Sequence, residues 1–398
     1  MIRYRPLKCV FSISTILSLL FIYMCGDFHH ETLKTRNISP KDEEIKVILF
    51  WNSFYDHKYF NMGVGSEGFQ DCQSHCFTTT NRTSLFDPQV KVHAVVFHVP
   101  QLTISEVKML KKEKAKMSFY NQDVTPSFVF FSKEPPQGPK TMSCDVRNPI
   151  FKGFFDLTIS YRHDSDVICP YGTFLDKNTH QPPLEWKRPP ISIINGTSSG
   201  TALVPLTDRH RDIAWTVSHC RTINRRENYA QALTKLGKLK VDIFGKCGDH
   251  KKFPPRAKVT SGYNYLGQQY KFYLSFESSN CLDYITEKFF YAMEHGLLPV
   301  ALGGLDDQDY QRIAPPHSYI HVDHFESPSQ MMEYLVQVSE NEDLFNSYFW
   351  WRDHYDLNLS PNYCTCEFCR ILHEKDYRSS NDYLNIDGYW NKCRRPKH

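Results

Sequence analysis

Short apolar runs alternate along this chain with stretches whose apolar positions recur at helical spacing. Runs 45–51, 93–99, 127–131 and 157–161 read as buried strands, and 104–116 carries a helical repeat between the second and third. The second half keeps the rhythm, with strands at 213–217, 241–244, 273–276, 298–302 and 320–322 and helices at 227–236, 284–295 and 329–341. Alternating β and α over both halves predicts an α/β protein, two parallel-sheet units with a cleft between them. Pro182-Pro183, Pro189-Pro190 and Asn195-Gly-Thr-Ser-Ser-Gly200 break the periodicity, so the boundary between the units is expected within 180–210.

Length and composition agree with this picture. A chain of 398 residues suits two domains, and 41% hydrophobic against 23% charged residues gives each a core, excluding a disordered or collagen-like protein. The formal net charge is only +3, so there is no general reason to expect nucleic acid, and any phosphate-binding charge has to be local.

The N-terminus places the chain. Residues 9–26 carry no charge and are long enough, at about 1.5 Å per residue, to cross roughly 30 Å of hydrocarbon. Arg3, Arg5 and Lys8 precede the run, while Asp27 and Glu31 follow it. The expectation is a type II protein: cytoplasmic tail 1–8, transmembrane signal-anchor helix 9–26 and polar stem 27–44, with the rest lumenal. A cleaved signal peptide is the competing reading, but its apolar region is normally shorter and Met24-Cys25-Gly26 is a poor cleavage site. Sequons at Asn37, Asn81, Asn195 and Asn358 suit a lumenal chain, Asn37 least because Pro40 follows its serine. Of 13 cysteines, eleven lie beyond the anchor, so disulfides are expected, with at least one thiol left free or paired between chains. Cys364, Cys366 and Cys369 could be half of a zinc site, but no second ligand pair with suitable spacing is present and disulfides are the expectation.

The densest chemistry lies in 273–288, where a strand runs into a polar loop and a helix opens around Asp283 to Glu287 beside Lys288. A helix start next to a lysine suits an anion. Asp283 and Glu287 could equally be first-turn caps. Arg225 and Arg226 stand at the mouth of a βα unit and could hold a diphosphate or simply be solvated. Asp164-Ser-Asp166 and Asp307-Gln-Asp309 each have the spacing to hold a divalent ion and a diphosphate, though both patterns are common by chance.

Several ordered blocks make a resemblance specific. Tyr270-Lys-Phe-Tyr-Leu-Ser-Phe-Glu-Ser-Ser279, Asp283-Tyr-Ile-Thr-Glu-Lys288 and Leu298-Pro-Val-Ala-Leu-Gly303 resemble the signature of α-1,3-fucosyltransferases. Ser160-Tyr-Arg-His-Asp-Ser-Asp166 with Pro170-Tyr-Gly172 is similar to an upstream block of that family. So are Ala214-Trp-Thr-Val-Ser-His-Cys220, Val241-Asp-Ile-Phe-Gly-Lys-Cys-Gly248, Ile320-His-Val-Asp-His-Phe325 and Tyr348-Phe-Trp-Trp-Arg352. Together they span roughly residues 45 to 372.

The resemblance implies a GT-B fold of two facing Rossmann-like domains behind the N-terminal transmembrane helix. Residues 45–205 would be the N-terminal, acceptor-side domain, 206–355 the GDP-fucose-binding domain and 356–398 a Cys-rich C-terminal segment. It implies a Golgi membrane enzyme that moves fucose from GDP-fucose to GlcNAc-containing glycans, with nucleic acid no partner. No metal is required, though manganese may stimulate, and both Asp-x-Asp pairs become structural. Arg226 and Lys288 would face the diphosphate, Tyr284 and Glu287 would line the donor pocket, and Glu277 would support the loop. The catalytic base would be Glu134 in Phe128-Val-Phe-Phe-Ser-Lys-Glu-Pro135, where the family has serine in place of Pro135. Ser278 or Ser279 and His219 also replace asparagines of the family pattern. Acceptor choice, core or antennal (LacNAc or LacdiNAc), would lie in loops of the first domain, particularly 53–90. The alternative is a catalytically silent lumenal glycan-binding or scaffold protein of the same fold. Such a protein would be expected to have lost Glu134, Arg226, Glu287 or Lys288, and all four are present.

Overall fold

The apolar runs become two parallel sheets. A computed structural model describes residues 44–55, 62–114, 116–117, 125–136, 145–190, 202–248, 259–359, 362–374 and 385–395. The expected transmembrane segment 9–26, Asn37, Asn195 and Cys144 lie outside them. Among the described residues, no helix is long and apolar enough to cross a membrane.

The first sheet contains β1 (Lys46–Phe50), β2 (Cys76–Thr79), β3 (Val92–His98), β4 (Ser127–Ser132), β5 (Leu157–Ser160) and β6 (Val167–Ile168), in the order β2-β1-β3-β4-β5-β6. Every neighbouring pair is parallel, and α1 (Ile104–Lys114) makes the crossover from β3 to β4. Side chains alternate across the sheet as period-two geometry requires. Val95, Phe97, Phe128 and Phe130 enter one core, while Ala94, Val96, Val129 and Phe131 enter another on the opposite face.

The small strand β7 (Thr173–Asp176) follows, and then the second parallel sheet begins. Its strands are β8 (Arg211–Thr216), β9 (Val241–Phe244), β10 (Tyr270–Phe276), β11 (Leu298–Leu302) and β12 (Ile320–His321), in the order β12-β11-β10-β8-β9. The helices α2 (Arg226–Leu236), α3 (Val259–Gln269), α4 (Glu287–Glu294), α5 (Asp307–Ile313) and α6 (Pro328–Glu340) fall between and after these strands. A short α7 (Glu342–Ser347) leads to β13 (Tyr355–Asn358), which pairs antiparallel with β7.

The cysteine-rich region returns to the first half of the chain. Helix α8 (Asn362–His373) lays Phe368 and Ile371 on the core that holds Ile48, Phe50 and Val129. Disulfides Cys72–Cys366, Cys76–Cys369 and Cys169–Cys364 fasten it there. A final helix α9 (Ile386–Trp390) puts Tyr389 and Trp390 into the core on the other face. Residues Glu43–His398 therefore form one compact unit. With Cys220–Cys247 and Cys281–Cys393, ten of the eleven cysteines beyond residue 26 are paired, and the eleventh is Cys144.

Candidate active site

The second sheet reverses its order between β8 and β10, with β9 beyond one and β11 and β12 beyond the other. In an open parallel sheet the crevice outside the carboxyl ends at such a point is the natural ligand site. Glu277 is the first residue past β10 and is 0% exposed. Its carboxylate accepts hydrogen bonds from the Thr286 amide at 2.8 Å, the Thr286 hydroxyl at 2.8 Å and Lys288 Nζ at 3.0 Å. The Lys288 ammonium also lies 3.2 Å from Glu287 Oε1. Burial works against this charge, but the two carboxylates overcome it and hold Lys288 above the usual lysine range. The cation is thus permanent, and its side chain is still 20% exposed. Burial raises Glu277, opposed by Lys288; for Glu287, Lys288 and Thr286 outweigh burial and keep the carboxyl low.

Arg226, the first residue of α2, reaches the same place from the end of β8. It is 4% exposed, donating Nη1 to the Phe276 carbonyl and Nη2 to the His219 carbonyl at 3.3 Å. Nε of this buried guanidinium has no hydrogen-bond partner among the described residues. Arg225 adopts the left-handed conformation, φ 54°, and its side chain is exposed, so only one of the adjacent arginines is turned inward. Asn224 Nδ2 donates to the Glu277 carbonyl and to Asn280 Oδ1, both at 2.8 Å, tying the start of α2 to the loop after β10. The Cys220–Cys247 disulfide fixes the segment that carries His219.

Glu134 comes from the other sheet, two residues past β4. The Tyr55 hydroxyl and the Lys288 ammonium both lie near enough to its carboxylate to favour the ionised form. Burial raises Glu134 above the usual carboxylate range, with Tyr55 and Lys288 opposing and Glu287 adding to the rise. A proton acceptor therefore faces the cation of the second sheet. Beside it Lys133 Nζ donates to the carbonyls of Cys169 at 2.5 Å and Pro170 at 3.0 Å and sits 4.2 Å from the centre of the Tyr171 ring. Burial brings Lys133 down to about 7, with only Glu287 opposing. The Tyr171 hydroxyl donates to the Lys133 carbonyl at 2.5 Å, so Pro170-Tyr171 braces the turn that presents Glu134.

The loop between β10 and α4 joins the halves. Tyr284 is 5.2 Å from the Tyr161 ring and belongs to the first sheet's core. Asp283 does not cap a helix. At φ 57° it accepts from the His163 amide at 2.9 Å and from Arg312 Nη2 at 2.9 Å, and its own amide donates to Asp309 Oδ2 at 2.8 Å. The helix starts at Glu287, not at Tyr284 as the apolar spacing suggested, because residues 283–286 spend their polar groups on these contacts and on Glu277.

The comparisons with known proteins match this architecture. The family "Fucosyltransferase, N-terminal" matches residues 43–172, and "Glycosyltransferase family 10 (fucosyltransferase) C-term" matches residues 206–388. Alpha-(1,3)-fucosyltransferase C of Drosophila melanogaster is 33% identical over 374 residues, covering 88% of this chain and 79% of that protein. The chain belongs to glycosyltransferase family 10, the fucosyltransferases. Glycoprotein 3-alpha-L-fucosyltransferase A of Drosophila melanogaster is 36% identical over 58% of this chain and 42% of its own. The 4-galactosyl-N-acetylglucosaminide 3-alpha-L-fucosyltransferase FUT6 of Pongo pygmaeus is 37% identical over 56% of this chain and 55% of its own. A crystal structure of an alpha1,3-fucosyltransferase superposes with a TM-score of 0.51 at 14% identity, covering 87% of this chain and 95% of that one, which places the fold as GT-B-like.

In this fucosyltransferase the four aspartates of the Asp-x-Asp patterns are committed to protein donors. Asp164 takes Arg162 Nε at 2.8 Å, and Asp166 takes the Thr158 amide at 2.7 Å. Asp307 takes the Tyr319 hydroxyl and His324 Nε2, both at 2.9 Å, while Asp309 pairs with Arg312. The structure brings Glu134, Arg226, Glu277, Tyr284, Glu287 and Lys288 near one another. Of the glycosylation candidates it describes, Asn81 is exposed and Asn358 is half-buried at the end of β13. Sequence reasoning missed Tyr55, Lys133 and Asn224. Nothing in the local pattern marks Tyr55, but Lys133 adjoins Glu134 and a cation beside a buried carboxylate is a usable signal.

Gly303, just past β11, has to stay small. A Cβ there would lie 2.6 Å from Glu277 Cγ and 2.9 Å from the Tyr310 hydroxyl, and Glu277 cannot yield without leaving Thr286 and Lys288. Gly303→Ala is expected to cost about 1–3 kcal/mol by overpacking, lowering Tm by several degrees. GDP affinity, measured by calorimetric titration, is expected to fall with it. Unchanged Tm and GDP affinity would mean that Glu277 is not so tightly seated.

Proposed function

We propose that this fucosyltransferase is an inverting α-1,3-fucosyltransferase, moving fucose from GDP-fucose to GlcNAc of a glycan. The observation that carries the mechanism is that Glu134, from the first sheet, lies near enough to Lys288 and Glu287, from the second, to feel both charges. Glu134 takes the proton of the acceptor hydroxyl as that oxygen attacks the anomeric carbon from the face opposite the diphosphate. The bond from anomeric carbon to diphosphate oxygen breaks, its electron pair leaves on GDP, and Lys288 and Arg226 stabilise the developing charge. Glu287, 41% exposed beside the cation, and Tyr284 line the donor pocket, Glu287 near the ribose or the fucose, while Glu277 holds Thr286 and Lys288 in place.

The site requires no metal ion in this reading, because protein cations occupy the place where a divalent ion would meet a diphosphate. EDTA is expected to leave substantial activity, and complete loss restored by manganese would sink this point. Residues 9–26 anchor the chain in the Golgi membrane with the catalytic unit lumenal, glycosylated at Asn81, Asn195 and Asn358, with Asn37 the weakest acceptor. The test offers the full-length chain GDP-fucose with LacNAc, LacdiNAc and a chitobiose-core glycopeptide, reading linkage by mass spectrometry and NMR. Fucose in α-1,3 linkage on one acceptor class is expected. No transfer by a folded chain that binds GDP would favour a silent glycan-binding protein.

A further inference from the structure

The first sheet also reverses its strand order, between β1 and β3, and the segments leaving those two strands meet above it. Asn52 Nδ2 donates to the His98 carbonyl at 2.9 Å, while Asn52 Oδ1 accepts from the His98 amide at 2.8 Å. The Tyr55 amide donates to Gln101 Oε1 at 3.2 Å, and that oxygen lies 3.0 Å from His98 Nδ1. Phe54 packs edge-on against His98 at 4.9 Å and Phe131 at 5.5 Å. The Tyr55 ring rests on this bed, 5.3 Å from Phe54 and 5.1 Å from His98. Its backbone is left-handed, φ 51°, a conformation that costs a non-glycine residue about 1–2 kcal/mol, so the surrounding contacts impose it. The outcome is a residue 45% exposed, with its hydroxyl near enough to Glu134 to act on its carboxylate.

We propose that Tyr55 is an acceptor-side positioning residue: its open ring face stacks on the pyranose ring of the acceptor sugar while its hydroxyl fixes the Glu134 carboxylate against the hydroxyl that attacks. This rests on the fucosyltransferase mechanism above and adds what sets its acceptor geometry. The carboxyl ends of β1 and β3 are the ligand position of the first sheet, as those of β8 and β10 are of the second. A phenol offers a rigid apolar face with a polar tip, and a pyranose offers a face of C–H groups to lie on it. One side chain then touches both the sugar and the base, so a fixed ring fixes the distance between them. The other groups facing Glu134 are the Lys288 ammonium, the Glu287 carboxylate and the buried phenols of Tyr161, Tyr171 and Tyr284.

The test compares full-length wild type with Tyr55→Ala and Tyr55→Phe on whichever of LacNAc, LacdiNAc and chitobiose-core glycopeptide is fucosylated. Tyr55→Ala is expected to raise acceptor KM roughly tenfold and to leave GDP-fucose KM and GDP Kd within about twofold. Tyr55→Phe keeps the ring, so acceptor KM stays within about twofold. Glu134 loses a donor that favours its ionised form, so the acid limb of the kcat/KM profile moves to higher pH. Tyr55→Ala with an unchanged acceptor KM overturns the proposal, as does a Tyr55→Phe profile that superimposes on wild type. Equal rises in donor and acceptor KM would mark a general distortion and overturn it too. Wild type that fucosylates none of the three would remove the fucosyltransferase mechanism itself, and the acceptor role of Tyr55 with it.

Discussion

Glu134→Gln is expected to lower kcat by about 10²–10⁴-fold while leaving GDP affinity unchanged. Glutamine matches glutamate in shape and keeps a carbonyl oxygen beside the Tyr55 hydroxyl, so the turn held by Lys133 and Tyr171 stays in place. What it cannot do is take a proton. Burial raises the Glu134 carboxyl, so wild-type activity should fall as pH drops through a value above the ordinary carboxylate range. That limb should be missing from the residual activity of the variant. Measuring kcat against pH, with GDP binding as the control for folding, separates the outcomes. Turnover close to wild type would remove Glu134 from the mechanism.

Lys288→Ala acts on the other side of the reaction and has two effects. Loss of a cation that meets developing charge only as the diphosphate departs should cost about 10²–10³ in kcat, with weaker GDP binding besides. Its removal also takes the hydrogen-bonded cation from Glu277, buried at 0% exposure, and leaves only the charge of Arg226 nearby, which should cost up to about 3–5 kcal/mol of stability, discounted because Lys288 itself is partly exposed. The double variant Lys288→Ala with Glu277→Gln restores much of that stability by removing the orphaned charge, yet should recover no turnover. Tm, GDP Kd and kcat measured on both variants divide the structural role from the catalytic one. Undiminished GDP binding and turnover in Lys288→Ala would count against the diphosphate role.

The strands of both sheets were legible because each is short, apolar and bounded by polar turns, and a parallel strand buried on both faces leaves that trace. β2 and β6 were not, since Cys76-Phe-Thr-Thr79 is a short edge strand with little apolar run and Val167–Ile168 is only two residues long. Helix α8 was also hidden: its cysteines read as a disulfide cluster, and no local pattern says that they pair with Cys72, Cys76 and Cys169. The loop after β10 was singled out by its motif, but its geometry was not legible. Asp283 looks like a first-turn acid in the sequence, yet it pairs with His163 and Arg312, partners set by the packing of the two halves. Tyr55 shows the same limit. Its importance comes from where β1 and β3 end relative to β4, which is topology and not composition.

The cysteines of helix α8 are 294 and 293 residues from Cys72 and Cys76 along the chain, yet the helix packs on one face of the first sheet. Synthesis runs from the N-terminus, so Ile48, Phe50, Val96 and Val129 are made long before α8 can complete their cover. The first half cannot mature ahead of the second, as a freestanding domain would. It has to wait, with an uncovered apolar face and unpaired thiols, until nearly the whole chain has emerged. The last part of the gene thus governs when the first part becomes safe from aggregation, and the protein closes late, as one object.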